Sequence, residues 1–171
     1  MKQQGKFIVM TPDEFRSFLV NTNISRIISH VQNHHTLIPS YRNFDGNNHF
    51  EKLRSMEAFH IQRGFNEIGQ HFTTFPDGAI ATGRSLEKTP ACIKGHNTGG
   101  ICIEHLGNFD TGKDTMTPEQ QATVITLNAL LCFKFNLAPG INTIVYHHWF
   151  RLGNGFRDGG KADNDHKKGN R

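Results

Sequence analysis

Apolar residues along this chain recur in two rhythms, one with helical spacing and one alternating. Thr11-Pro12-Asp13-Glu14 is a capping box with proline at the first helical position, and Phe15, Phe18 and Leu19 then share one face. This predicts a short helix up to about Val20. Asn48 with Glu51 is a weaker cap, and Phe50, Leu53, Met56, Glu57 and His60 follow at helical spacing, predicting a helix over 49–60. A second well-formed capping box, Thr117-Pro118-Glu119-Gln120, opens the strongest helix, with Ala122, Ile125, Leu127, Leu130, Leu131 and Phe135 as its expected apolar stripe. The other rhythm predicts strands. Ile24 to Asn33 is rich in β-branched residues and is ended by Leu37-Ile38-Pro39, since proline cannot donate to a ladder. Gln70 to Phe75 alternates, Pro76-Asp77-Gly78 turns, and Ala79 to Thr82 returns as the second arm of a hairpin. Ile101 to Gly107 reads as a central strand, and Thr143 to Tyr146 as another short one. Pro39 to Gly46 and Ser85 to Gly100 read as loops, and from Arg151 onward no core signal remains. The expected fold class is α/β: a single domain with a mixed central sheet flanked by α-helices.

Composition narrows the partners. The 171 residues suffice for one domain with a real core, and no apolar run approaches a membrane span, so membrane insertion is not expected. Met1 to Lys6 is followed only by Phe7 to Met10, which gives neither a long apolar region nor a small-residue cleavage site, so any export is expected to use another route. A net charge of +4 and a pI of about 9.1 favour anionic partners: nucleic acid, a membrane surface or a cell-wall polymer. Lys and Arg are scattered and do not interleave with aromatics, which argues against nucleic acid. Fourteen Phe against two Tyr and one Trp indicate aromatics used for the core. Cys92, Cys102 and Cys132 are odd in number and form no CxxC, so buried free thiols are expected rather than a disulfide framework.

The chemistry gathers at the strand ends. His34-His35 closes one predicted strand and His147-His148 another. Histidine is the commonest metal ligand, and two rigid strand ends could each supply one imidazole to a single zinc ion. Ordinary polar residues at strand ends are the alternative. Glu104 is the third informative residue, because an unpaired carboxylate inside an apolar strand costs several kcal/mol. It must lie at an open end, pair with an arginine such as Arg84, or act; beside zinc it could take the proton of an activated water. Alternation puts Cys102, Glu104 and Leu106 on one face and Ile103 and His105 on the other.

Several segments then follow one another in a specific order: His34-His35-Thr36, Arg63-Gly64-Phe65-Asn66-Glu67-Ile68-Gly69-Gln70-His71-Phe72, Asp77-Gly78, Gly83-Arg84, Asn97, Ile103-Glu104, Gly107-Asn108-Phe109-Asp110, the helix from Thr117, and His147. This ordered set resembles the type 2 N-acetylmuramoyl-L-alanine amidases, which include phage endolysins, bacterial autolysins and peptidoglycan recognition proteins. The likeness runs from about 11 to about 157 and is greatest to phage- or prophage-type wall amidases. It implies zinc-dependent cleavage of the amide between N-acetylmuramic acid and the L-alanine of the stem peptide. By the resemblance, His34 and His147 are metal ligands and Glu104 the general base. It implies peptidoglycan as the partner, action on the cell wall after release by a non-classical route, and a monomer. His35, His96 and Trp149 are candidates to line a substrate groove, and Gln70, where some members carry tyrosine, could orient water or substrate. His71 is expected to be structural, and His30, His49, His60, His105 and His166 surface or satisfied polar residues.

The pattern departs from the family in one respect. Catalytic zinc normally has three protein ligands, and the family's third is a cysteine or aspartate after the second histidine, with a lysine two residues before it. No cysteine follows Cys132. The expectation is that residues 158–171 form a flexible loop or tail that stops short of the third ligand; the alternative is Asp163 or Asp165 as ligand with Lys161, Lys167 or Lys168 as the cation. A binding domain that keeps the groove but has lost activity is the competing function.

Overall fold

The computed structural model describes residues 1–160. Its strands are β1 (Lys2–Gln4), β2 (Phe7–Met10), β3 (His30–His35), β4 (Phe72–Thr74), β5 (Ile80–Thr82), β6 (Gly100–His105) and β7 (Ile144–Tyr146). Its helices are α1 (Pro12–Asn21), α2 (His49–Gln62) and α3 (Pro118–Lys134), and two 3-10 turns lie at Tyr41–Asn43, before α2, and at His147–Trp149, after β7. The strands form one mixed sheet in the order β1-β2-β5-β4-β6-β3-β7. The expected α/β class, mixed sheet and flanking helices are therefore observed. Among the described residues no helix is long and apolar enough to cross a membrane.

Each helix begins where the caps placed it. Thr11 accepts from the Glu14 backbone and Glu14 reciprocates, while Thr117 accepts from the Gln120 backbone. Asn48 makes no side-chain cap bond. Helices α1 and α3 cover one face of the sheet, where Phe15, Leu19, Leu127 and Leu131 bury Val31, Phe72, Ile101 and Ile103. Helix α2 covers part of the other face, setting Leu53 and Met56 against Val9, Phe75, Ala81 and Leu106. Leu106 and Ile103 thus lie on opposite faces, as the alternation requires.

Three expectations are corrected. The strand predicted over 24–33 begins only at His30, because its neighbour β6 begins at Gly100, the first partner in register. Before it the chain is irregular, with Ser25 held by Glu87 and Arg26 donating to the Gly100 carbonyl. The stripe on α3 is misplaced as well: Ile125 is exposed, while Gln120, Thr123 and Asn128 are buried with Leu127 and Leu131. These polar groups are tolerated because the sheet answers them. The Gln120 amide donates to the carbonyls of Thr74 and Leu106, both at 3.1 Å, and Asn128 pairs with Asn33 at 3.0 Å. Finally, within residues 151–160 the chain does pack: Gly160, at φ +61°, lies so close to the Trp149 ring that a Cβ there would stand 2.2 Å from it.

Candidate functional site

Strands β3 and β6 run parallel, as do β3 and β7. Parallel neighbours bring their C-terminal ends to the same edge, which is where α/β sheets bind ligands. Register does the rest. His34 is paired with Glu104, and Asn33 with Tyr146, the residue before His147. His34 Nδ1 stands 3.6 Å from Glu104 Oε1, and the His34 and His147 rings are 5.5 Å apart. Two imidazoles and a carboxylate some 110 residues apart in sequence thus meet at one sheet edge.

Glu104 is 6% exposed, and its Oε2 has no hydrogen-bond partner among the described residues. It does not pair with Arg84, whose guanidinium donates to the carbonyls of Ile68 and Thr89 at 2.9 and 2.8 Å. A buried carboxylate oxygen left without a donor needs a cation or a proton nearby. His147 is pushed down to about 4, first by burial and then by the charge of His34, so its imidazole is neutral and able to ligate. Burial also opposes charge on His34, but Cys92 and then Glu104 outweigh it and carry its pKa up to about 9. The donor set therefore suits a borderline-soft divalent ion.

An open groove of about 1960 Å³ lies over this edge, with His34, Glu104, Cys92 and His147 in its walls. His35 lines it too; its Nδ1 accepts from the Phe109 backbone at 2.9 Å, and its ring stacks on that of Phe109. The other predicted groove residues lie elsewhere. His96 Nε2 bonds the Gly155 carbonyl at 2.9 Å and its ring packs on Phe150, while Trp149 is buried with Ile93 and Val145. Gln70 is 1% exposed, its amide donating to Thr73 at 3.0 Å. His71 is structural: it accepts from the Cys102 backbone at 3.0 Å, bonds the Lys88 carbonyl, and is held near 3 by burial. His30, His49 and His105 also have partners, in His96, Asp77 and Thr74. Asp163, Asp165, His166 and the lysines at 161, 167 and 168 lie outside the described residues.

Sequence reasoning took Cys92 and Cys102 only as buried thiols. Both are free, and each lies close to His34. For Cys102 the signal was present, since it precedes Glu104 by one alternation on the same strand face. Cys92 arrives on a loop, which periodicity cannot place.

Comparison with known proteins points the same way. The family profile described as N-acetylmuramoyl-L-alanine amidase matches residues 24–166. An N-acetylmuramoyl-L-alanine amidase of Sus scrofa is 31% identical over 77 residues, 44% of this chain and 13% of the pig protein. The endolysin of Escherichia phage T7 is 29% identical over 89 residues, 48% of this chain and 57% of the phage protein. The matches thus span well under two thirds of these relatives. Among solved structures, the N-acetylmuramoyl-L-alanine amidase LysC from Clostridium intestinale superposes with a TM-score of 0.59 at 27% identity, covering 77% of this chain and 80% of LysC.

Proposed function

The chain belongs to the N-acetylmuramoyl-L-alanine amidase family, and from that premise we propose that it is a zinc-dependent peptidoglycan hydrolase cutting the bond between the muramoyl lactyl group and L-alanine. The observation that carries this reading is the convergence of His34, His147 and Glu104 at one open sheet edge. His34 and His147 would hold the metal, which when bound supplies the Lewis acidity that activates water and polarises a carbonyl. Glu104 takes the proton of the attacking water at its carboxylate and passes it to the departing amine of L-alanine. The buried setting keeps that carboxylate fixed and strengthens its field at the scissile bond. Lys52, Arg63, Lys94 and Arg151 line the groove beside Phe59 and Tyr146, a surface suited to an anionic glycopeptide. The monomeric state, like action at the cell wall, belongs to this proposal.

Purified cell walls test it. Turbidity should fall, new L-alanine amino termini should appear, and chelation or His147→Ala should abolish both. Release of reducing sugar without new amino termini would instead make the protein a glycosidase.

A second reading, a wall-recognition domain without hydrolysis, draws on the fact that two histidines alone do not complete a three-ligand site. Binding to intact walls with no new amino termini at saturating zinc would favour it.

A further inference from the structure

Cys92, which lines the groove, and the buried Cys102 are sulfur donors that the hydrolytic reading does not use. Cys102 sits on β6 on the Glu104 face, in register with Gln32 of β3. Its backbone is anchored to His71 Nδ1 at 3.0 Å, and it is fully buried. Cys92 enters from the loop before β6. The Asn97 side chain fixes it there, accepting from the backbones of Cys92 and Ile93 at 3.0 and 2.9 Å. As a result, one ligand atom from each of His34, Cys92 and Cys102 lies within 4.8 Å of the other two. Around a tetrahedral zinc, with bonds of about 2.0–2.3 Å, neighbouring N and S donors stand about 3.5–3.8 Å apart. The donors need to draw together by no more than about 1.3 Å to close the set. Beside it lies the unpartnered, buried Oε2 of Glu104, which also calls for a positive charge.

We propose that His34, Cys92 and Cys102 form a thiolate site for a soft divalent cation of the zinc and cadmium class. Binding is a balanced exchange: each thiol, and the imidazolium of His34, releases its proton to solvent as its sulfur or nitrogen bonds the metal, and the two negative sulfurs offset the charge of the ion. The site has a consequence for the proposed hydrolase, and only this consequence rests on that reading. A neutral imidazole has one lone pair to give. An ion held by His34 with the two cysteines and without His147 leaves no His34 lone pair for an ion at His147, so that excess soft metal inhibits cleavage.

Cobalt(II) titration of the full chain under reducing conditions is the test. The chain has only three cysteines, and Cys132 lies on α3 across the sheet, so a sulfur-to-cobalt charge-transfer band in the near ultraviolet reports Cys92 and Cys102. The expected result is an intense band that saturates at one equivalent, survives His147→Ala, and is lost in the Cys92→Ala/Cys102→Ala double variant. Metal should also protect the half-buried Cys92 from a thiol-alkylating reagent. Cobalt binding that gives only weak visible bands and disappears in His147→Ala would overturn the thiolate site while leaving the hydrolase reading intact. A cysteine-dependent band in a chain that cuts no wall at any metal loading would uphold the site and defeat the hydrolase reading instead. Should the double variant not fold, the wild-type spectrum still decides, since absence of the band there overturns the proposal.

Discussion

The two faces of strands β3 and β6 use similar residues to opposite ends. On the face under α3, His105 sits between Thr74 at 2.9 Å and Asn33 at 3.1 Å, and Asn33 is paired in turn with Asn128. Every ring nitrogen there has a partner, and burial holds His105 near 3, so that it stays neutral. One residue away, on the other face, Glu104 keeps an oxygen with no donor among the described residues and His34 faces an open groove. A completed polar network stabilises and orients; an incomplete one at an open edge can do chemistry. The difference lies in whether a helix or a groove covers the face.

The largest expected effect falls on the open face. Glu104→Ala should cost at least about 100-fold in wall cleavage, the low end of what a positioned general base provides. It should leave stability unchanged or raise it, because it removes a buried oxygen that has no partner among the described residues. Loss of activity together with a large drop in the unfolding midpoint would break the contrast between the faces. Next comes the closed face, where Asn33→Ala leaves His105 and Asn128 short of a partner and should cost about 2–3 kcal/mol in denaturant unfolding. Both variants should fold well enough to bind walls.

Acid sharpens the comparison further. His71 and His105 have folded pKa values near 3, below the unfolded value of about 6.5. Above 6.5 both states are neutral and pH has no effect through them. As pH falls below 6.5 the unfolded chain takes up protons that the folded chain refuses, so stability declines until the pH approaches 3. Each histidine contributes at most about 1.4 kcal/mol per pH unit. Unfolding curves at several pH values should show this slope, and His105→Gln should make it shallower. The smallest effect is expected far from the groove: Thr11→Ala removes the cap of α1 at a cost of about 1 kcal/mol in thermal or chemical melts, with wall cleavage unchanged.

How much of this the sequence revealed depends on the range of the interactions involved. Caps and periodicity are local, so α1, α2, α3 and the β4–β5 hairpin were legible, as was the facing of Cys102, Glu104 and Leu106. The β1–β2 hairpin was missed: Lys2, Gln3 and Gln4 are polar and exposed, and Phe7 to Met10 is a single short run. The buried face of α3 was misjudged because Gln120 and Asn128 look like solvent residues until Thr74, Leu106 and Asn33 supply their partners. The histidine pairs and Glu104 stood out individually, but their meeting follows from the order β6-β3-β7, which no local pattern encodes. His96 and Trp149 were chosen for chemical type and Gln70 for its place in the resemblance, and their absence from the groove lining depends on tertiary contacts. Cys92 was invisible for the same reason.

The most direct test counts L-alanine amino termini released from purified cell walls by the zinc-supplemented chain and by its Glu104→Gln variant. The account predicts a steady increase for the wild type and almost none for the variant, although both bind the walls. Equal release by the two proteins, or none by either with zinc bound, would contradict it.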